Sequence, residues 1–469
     1  MTTNEQPFCV DSLKAFLPNA PLLGAAQQKN WLISTKPYPL THEQLDFLND
    51  LGGVLYRFYR AVEALYRLSL DKDAYKWVQN VLHAGKPESL LTFAHMNRTK
   101  KQMPIVIRPD LLVTDEGFAL TELDSVPGGI GMTAALMESY QAAGFDRLPT
   151  SNGILPAFLK MMHALRPDIA DPTIAIIISE ESADYRREME WLVEKLQQLT
   201  PHIHLVHPKT IALQENALGF HTSSNTFEPI HIIYRFFELF DLANIPQIEL
   251  IQYAIKKGLV VCAPPFKPEL EEKMALAFLH HPFLTSFWEE HLSPTDLTCL
   301  KKIVPETWIL DPAPIPAGAA VIPTLHFKDQ VFQRFSDLVH ATQKQRELVI
   351  KPSGFSPLAW GSRGVKIGHD LSQVDWSAAL EHALSEFNSS PHILQRFAHP
   401  KITKYEYSEA DTGIVYASEG RTRICPYYFV TNQIPELVGV LVTTCPKDKK
   451  IIHGMQDGVM YPAALDPSM

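Results

Sequence analysis

The chain has 469 residues, with 42 basic and 52 acidic side chains, and therefore a formal net charge of −10. Hydrophobic residues make up 46% and charged residues 20%, a composition that excludes a largely disordered chain. The negative charge argues against a nucleic-acid partner, because such proteins present a clustered basic surface. The length favours two or three domains.

Cysteine usage predicts reduced thiols, and hydropathy predicts a soluble protein. The five cysteines are widely spaced and form no CxxC pair, so we expect neither a disulfide framework nor a zinc ribbon. The first residues lack the basic and apolar stretches of a signal peptide, and the apolar runs are too short to span a bilayer. We therefore expect a cytoplasmic protein with no membrane partner.

The first two predicted regions are a helical N-terminal region, residues 1–100, and a segment with an acidic hairpin, residues 101–150. Thr41 is a suitable N-cap, and the apolar residues from Leu48 to Val62 recur at helical spacing. Residues 103–124 then form two apolar stretches around a polar turn, which predicts a β-hairpin. A Pro-Gly-Gly sequence and a short helix over 133–143 follow.

The third predicted region, residues 151–262, alternates strands and helices. Apolar stretches at 172–178, 204–206, 230–234 and 259–262 read as strands, and 185–199 reads as a helix. This alternation predicts a small parallel α/β domain. Residues 263–335 read as helical, and residues 347–469 read as strand-rich with one helix over 376–387. We therefore expect the fold class α/β and α+β.

The hairpin carries three carboxylates and one arginine. If its register centres on Glu116, Asp110 lies opposite Glu122, and Arg108 lies opposite Asp124. Opposed like charges are unfavourable without compensation, and one arginine offsets only one carboxylate. Oxygen ligands of this kind suit Mg²⁺ or Mn²⁺. The alternative is a solvated hairpin face with ordinary salt bridges.

A second candidate segment begins with a lysine that ends an apolar strand. Lys351-Pro352 is followed by a stretch containing Gly354, Gly361, Gly364 and Gly368, four of only 22 glycines. A lysine beside a flexible glycine turn can reach phosphate while loop amides cradle it. The spacing fits neither the Walker A loop nor the dinucleotide fingerprint, and a plain loop is the alternative.

Together these features resemble a circularly permuted ATP-grasp enzyme of the glutathionylspermidine synthase-like group. The residues that carry the resemblance are Arg108-x-Asp110, Glu122-x-Asp124, Lys351-Pro352 with its glycine loop, and Gln395-x-Phe397. The similarity extends from about residue 100 to residue 465. Permutation would place the metal carboxylates before the lysine-bearing strand, as they are here. On this resemblance, residues 263–469 form the ATP-grasp nucleotide-binding region, and residues 151–262 correspond to a pre-ATP-grasp-like domain.

The resemblance implies a role for each matching residue. Asp110, Glu122 and Asp124 would be metal ligands, and Lys351 would hold the nucleotide phosphates. Arg108, with Arg421 or Arg423, would stabilise charge on phosphate and acyl phosphate. The loop around Gly361 and Gly364 would close over the nucleotide, and Gln395 to Phe397 would line the adenine pocket. The cofactors would be ATP and Mg²⁺ or Mn²⁺.

The sequence also departs from the family pattern. Position 124 carries Asp where the family usually has Asn, which adds negative charge. The second nucleotide lysine has three candidates, Lys302, Lys328 and Lys344. The glycine-flanked turn over residues 453–458 could touch the acceptor or be a plain loop. Residues 234–238 could line the acid-substrate site or pair Arg235 with Glu238 at the surface.

The function that the resemblance implies is an ATP-dependent carboxylate–amine ligase that forms an amide bond and releases ADP and phosphate. Its partners would be a small carboxylic acid or peptide and an amine acceptor. Two alternatives remain, a Mg-ATP-binding scaffold or regulatory protein without turnover, and a phosphotransferase on the same fold. Asp124 and the long glycine loop motivate the first of these.

Overall fold

The computed structural model describes residues 32–149, 153–313, 334–409, 414–452 and 458–466. The sequence predictions for residues 1–31, for Lys328 and for most of the 453–458 turn lie outside these ranges. In the described part no helix is long and apolar enough to cross a membrane.

The described part of the predicted N-terminal region, residues 32–100, is mainly helical. Its helices are α1 (His42–Asp71), α2 (Lys76–His83) and α3 (Glu88–Ala94). Thr41 caps α1 through a capping box with Gln44, which confirms the predicted helix start. Two short strands precede α1, β1 (Leu32–Ser34) and β2 (Tyr38–Leu40). Both strands join the large sheet through partners hundreds of residues away, which the local sequence did not indicate.

The largest sheet has eight strands and contains the predicted hairpin. The hairpin is β3 (Val106–Thr114) and β4 (Gly117–Asp124), and the C-terminal strands are β16 (Ile402–Glu409), β17 (Val415–Thr431), β18 (Ile434–Pro446) and β19 (Val459–Leu465). The strand order is β16-β1-β19-β18-β17-β3-β4, with β2 beside β19. Because β16 also pairs with β17, five of these strands form a closed ring. The β17–β18 turn is formed by Asn432 and Gln433, both at positive φ, as in a type I′ turn.

The predicted parallel sheet is present within residues 174–263. Its strands are β5 (Ile174–Ile178), β6 (Ile203–Val206), β10 (Ile232–Phe236) and β11 (Val261–Ala263), in the order β11-β10-β5-β6, all parallel. Alternate residues of β5 pack into two different cores, so both faces are buried and the strand reads as a continuous apolar run. The surrounding helices are α4 (Ile130–Ala142), α5 (Ile154–His163), α6 (Arg186–Gln197) and α7 (Ile248–Lys257).

An additional antiparallel sheet was not predicted. It consists of β7 (Ile211–Gln214), β8 (Ala217–His221) and β9 (Phe227–Pro229), and it packs into the second core with α7. Its strands are only three to five residues long, so they offer little periodicity to read.

The last unit combines helices with a four-stranded antiparallel sheet. The helices are α8 (Met274–His280), α9 (Thr285–His291), α10 (Pro294–Ile303) and α11 (Gln373–Ser385). The strands are β12 (Thr307–Ile309), β13 (Leu348–Pro352), β14 (Lys366–Ile367) and β15 (His392–Arg396), in the order β12-β15-β13-β14. In its described part, the stretch predicted as helical, residues 263–335, also contains the strand β12. Trp376 anchors α11 to a core formed by this sheet.

Candidate functional site

The acidic hairpin has the predicted register. Arg108 pairs with Asp124 and Asp110 with Glu122, and a bulge follows Asp110. The pairing is fixed by alternation along the strands and by the short turn between them. All four charged side chains line one cavity of about 190 Å³.

Asp110 is surrounded by donors. Its Oδ1 lies 3.3 Å from Arg108 Nε and accepts a hydrogen bond from the Cys425 thiol, while Oδ2 accepts a 2.7 Å bond from Arg423 Nη1. Burial opposes ionisation of Asp110, but Arg108 and Arg423 outweigh it, so the pKa of this carboxyl is lowered. Asp110 is therefore a carboxylate that holds two arginines in place.

Arg423 is the β17 arginine that the fold brings to the hairpin. It lies opposite Leu112 of β3 and lines the cavity beside Asp110. Arg421, two residues earlier, donates a 3.0 Å hydrogen bond to the carbonyl of Lys449 and does not line the cavity. The structure thus separates two arginines that the sequence left as alternatives.

Glu122 is paired with Lys273, a residue that the sequence analysis missed. Lys273 Nζ lies 2.8 Å from Glu122 Oε1 and donates a 2.6 Å bond to the Ala359 carbonyl of the glycine loop. Burial opposes its charge, but Glu122 keeps its pKa above the ordinary value. Of the three lysines proposed for this region, Lys302 and Lys344 are exposed.

Lys273 belongs to a short segment that is rich in charged residues, most of which are buried in the fold. Between residues 267 and 273, four side chains are buried and polar, namely Lys267, Glu269, Glu272 and Lys273. Charged side chains are almost never buried unless they are paired. A charged run directly before an apolar helix was therefore the available signal, but its partners are distant in sequence.

Lys351 reaches from β13 to the hairpin. Its Nζ donates to Gln395 Oε1 at 2.8 Å and to the Thr121 carbonyl of β4 at 3.0 Å. Burial lowers the pKa of Lys351 to about 8, with Glu122 opposing and Lys273 adding to that effect. Lys351 and Lys273 thus approach the hairpin beside Glu122.

The glycine loop lines the cavity and is joined to the parallel-sheet region by an ion pair. Gly361, at φ +63°, lines the cavity together with Trp360, Ser362 and Arg363. The Arg363 guanidinium stacks 3.9 Å from the Trp360 ring centre, and its Nη1 lies 3.0 Å from Glu181 Oε1. Gly364 does not line the cavity, because it packs against Pro352 and the Leu358 carbonyl.

The two residues proposed for an adenine pocket lie outside this cavity. Gln395 is buried and bonded to Lys351 and Thr307. The Phe397 backbone amide donates to the Glu347 carbonyl at 3.0 Å, and its ring meets the ring of His369 edge-on. Their nucleotide-binding role stays a prediction.

The opposite wall of the cavity is the carboxyl end of the parallel sheet. Ser182 and Tyr185 follow β5, and Phe237 and Glu238 follow β10; all four line the cavity. Ligands of open parallel sheets bind at this edge. Residues 236–238 therefore line the cavity, whereas the surface pairing of Arg235 with Glu238 was wrong, since Arg235 is fully buried and pairs with Glu271.

The Pro-Gly-Gly segment permits close approach between the hairpin and α6. A Cβ on Gly128 would lie 2.2 Å from the Tyr185 ring. Glu188 accepts hydrogen bonds from the amides of Gly129 and Gly131, at 2.8 and 2.9 Å, and so caps α4. Burial raises the pKa of Glu188 to about 7, although these amides oppose the shift.

Two structures are similar to this chain at low sequence identity. A glutathione synthetase-like effector from Globodera pallida is 11% identical, and the match covers 98% of this chain and 96% of that chain with a TM-score of 0.57. This chain shares its fold. A putative gamma-glutamylcysteine synthetase from Methylobacillus flagellatus is 13% identical, with 92% and 90% coverage, but its TM-score of 0.41 is too low to define a shared fold. No family model and no curated protein sequence matches the chain.

The donor set of the hairpin fits a divalent cation only in part. Glu122 and Asp124 are about one-third exposed at the cavity wall, but Glu122 is paired with Lys273, and the Asp124 oxygens accept hydrogen bonds from Arg108 and from the Val126 amide. Asp110 is enclosed by two arginines and a thiol. Among the described residues, no three His, Cys, Asp or Glu side chains are placed to hold a metal ion together. The assignment of all three carboxylates as ligands stays a prediction.

Proposed function

We propose that the protein is an ATP-dependent carboxylate–amine ligase that forms an amide bond through an acyl phosphate and releases ADP and phosphate. The observation that carries the proposal is the single cavity where the hairpin, Arg423, the glycine loop and the carboxyl ends of β5 and β10 meet. Its walls combine cationic groups for phosphate with a strand-end wall of the kind that binds small substrates. The fold shared with the glutathione synthetase-like effector supports the same class.

Lys351 and Lys273 are the residues assigned to the nucleotide phosphates. Neither lysine lines the cavity, but both are buried and contact β4, Lys351 at the Thr121 carbonyl and Lys273 at Glu122. Lys273 also donates to the backbone of the glycine loop. In this proposal the loop around Gly361 and Gly364 covers the nucleotide. Gln395 and Phe397 would line its adenine, as the resemblance implies.

The arginines neutralise charge on the transferring phosphoryl group. A carboxylate oxygen of the acid attacks the γ-phosphorus of ATP, and the bond from that phosphorus to the ADP oxygen breaks. The amine then attacks the acyl carbon, phosphate leaves with the carboxylate oxygen, and the amine nitrogen loses a proton. Arg108 and Arg423, fixed by Asp110, are the fixed positive charges for both steps.

Glu122 and Asp124 are the residues that would hold Mg²⁺ or Mn²⁺. The ion would supply charge neutralisation on the phosphates when bound. Asp110 acts in this proposal mainly by orienting the two arginines, because its oxygens are already engaged.

Acidic groups on the far wall support an amine as the acceptor. Burial, with Glu271 and Asp124 nearby, raises the pKa of Glu238. A cationic amine would relieve this repulsion, whereas a second acid would increase it. The acid substrate would lie nearer Arg108 and Arg423.

The test is ADP release from ATP and Mg²⁺ in the presence of pools of acids and amines, followed by mass spectrometry of the product. Glu122→Gln should abolish release, and Glu116→Gln, at the hairpin turn, should not. With an ¹⁸O-labelled carboxylate, one label should appear in the phosphate. Release without label transfer would instead indicate a phosphotransferase.

A Mg-ATP-binding protein without turnover is the second candidate. Asp124, which adds a negative charge to the hairpin, and the long glycine loop favour it. Calorimetry that detects Mg-ATP binding, with no product from any pool, would support it. Absence of nucleotide binding would contradict both candidates.

A further inference from the structure

A second cavity lies between α1 and the strand ends on another part of the molecule. It is open to solvent, has a volume of about 670 Å³, and shares no lining residue with the candidate active site. Small-molecule pockets typically enclose about 300 to 1,000 Å³. Its walls come from α1, from residues 101–105 before β3, from the end of α5, from the end of β11 and from the β17–β18 turn.

The charged side chains of this cavity are mostly cationic. Arg60 and Arg67 lie two turns apart on α1, and Lys101 lines the same cavity. The side chains of Arg60 and Lys101 are exposed and make no hydrogen bond or ion pair with the described part of the chain. Two of the three cationic side chains of the cavity are therefore without a partner among the described residues.

The one carboxylate of the cavity is already neutralised. Glu63 Oε1 accepts a 2.7 Å bond from Arg67, and Glu63 Oε2 lies 2.5 Å from Lys267 Nζ. Lys267 is buried and also donates to the carbonyls of Lys100 and Gln102, at 3.3 and 3.4 Å. The backbone beside Lys101 is therefore held to α1 by a buried ion pair.

The surface between the cations is apolar. Met103, Met161, Leu165 and Val261 line the cavity, and so do the more polar residues Tyr56 and Asn432. Arg60 and Arg67 are seven positions apart on the helix, which corresponds to about 10 Å along its axis. A ligand that satisfies this arrangement carries two separated acidic groups on an apolar body.

We propose that this cavity is a binding site for a small organic dianion, with Arg60, Arg67 and Lys101 as its charged contacts. The acidic groups can be carboxylates or phosphate monoesters, because guanidinium groups bind both. The proposal does not depend on the ligase reaction, since none of these residues lines the candidate active site.

The test uses suberate, a linear dicarboxylate, with 1,8-diaminooctane and octanoate as controls of similar length but different charge. Isothermal titration calorimetry should detect suberate binding, weaker octanoate binding and no diamine binding. Suberate affinity should fall as salt is raised, because the rim is exposed. Equal binding of suberate and diamine would overturn the proposal.

Variants locate the site. Arg60→Gln and Lys101→Gln should each weaken suberate binding about tenfold, as expected for loss of a charge-assisted hydrogen bond. Both residues are exposed, so the fold should be retained. Arg187→Gln, an exposed arginine on α6, is the matched control and should bind unchanged.

Two outcomes would contradict the proposal. If Arg423→Gln abolishes suberate binding and Arg60→Gln does not, the dianion binds at the candidate active site and the proposal fails. If no suberate binding is detected at millimolar concentration, a dianion of this span is not the ligand and the proposal also fails.

Discussion

Arg423 donates a 2.7 Å hydrogen bond to Asp110, although the two residues lie 313 positions apart in the chain. The bond joins β17 to β3 and fixes a second guanidinium beside Arg108. Because Asp110 is buried, the two arginines are required to stabilise its negative charge. In turn, the Asp110 carboxylate orients both guanidinium groups. The cationic wall of the cavity is therefore built around one carboxylate.

Glutamine variants of Arg423 and Arg421 should differ in both ADP release and stability. We expect Arg423→Gln to lower ADP release by about a hundredfold or more, since one fixed charge on the phosphoryl group is lost. It should also cost about 3 kcal/mol of unfolding free energy, because a buried ion pair is broken. Arg421→Gln, which loses only a bond to a backbone carbonyl, should remain close to the unchanged protein in both measurements. Equal losses in the two variants would contradict the assignment.

The hairpin could be predicted from the sequence because its register is a local property. Alternation along two strands and a short turn place Asp110 opposite Glu122 without any knowledge of the rest of the fold. The parallel strands were also visible, since strands buried on both faces read as apolar runs. In both cases the signal lies within a few residues of the structure that it predicts.

The missing parts of the site depend on distant contacts. Lys273 can be recognised as a candidate site residue only from its contacts with Glu122 and with the Ala359 carbonyl, which the fold brings beside it. Arg421 and Arg423 are equivalent by spacing, and only their partners, Lys449 and Asp110, tell them apart. Strands β1 and β2 are too short to be read locally, and they exist through pairing with β16 and β19.

Thr41 should contribute measurably to the stability of α1. Its hydroxyl accepts from the Gln44 amide at 3.1 Å, and Gln44 Oε1 accepts from the Thr41 amide at 3.0 Å. Thr41→Ala should lower the unfolding free energy by about 1 kcal/mol, as loss of an N-cap does. Urea unfolding measures the change, and Thr92→Ala, at an exposed position of α3, is the control. Indistinguishable midpoints for the two variants would show that the cap contributes nothing.

Lys351 should make nucleotide binding sensitive to pH. Burial lowers its pKa to about 8, so above that pH the free protein carries a neutral amine at this position. Nucleotide phosphates favour the protonated form, so affinity for ADP should fall as pH rises above about 8, and binding at pH 9 should take up a proton. Calorimetry in two buffers of different ionisation enthalpy measures that uptake.

Two lysine variants test this assignment. Lys351→Met should bind ADP weakly, with no proton uptake at pH 9. Lys344→Met, at an exposed position, should behave like the unchanged protein. Proton uptake that persists in Lys351→Met would assign the titration to another group.

Glu188 should make stability increase as pH falls below neutrality. Its pKa is about 7 in the folded protein because of burial, against an ordinary value of 4.5. Between pH 7 and about 4.5 the folded state therefore binds a proton that the unfolded state does not, so this group raises the unfolding free energy as pH falls. Above pH 7 it is ionised in both states, and its burial is destabilising by an amount on the order of 3 kcal/mol.

The comparison with two glutamine variants isolates this contribution, because other buried acids titrate in the same range. Glu188→Gln should show a smaller rise in unfolding free energy between pH 7 and pH 5 than the unchanged protein. Glu194→Gln, exposed on the same helix, should follow the unchanged protein. Urea unfolding at the two pH values gives one difference in unfolding free energy for each of the three proteins. A slope in Glu188→Gln equal to that of the unchanged protein would mean that the amides of Gly129 and Gly131 keep this carboxyl ionised throughout the range.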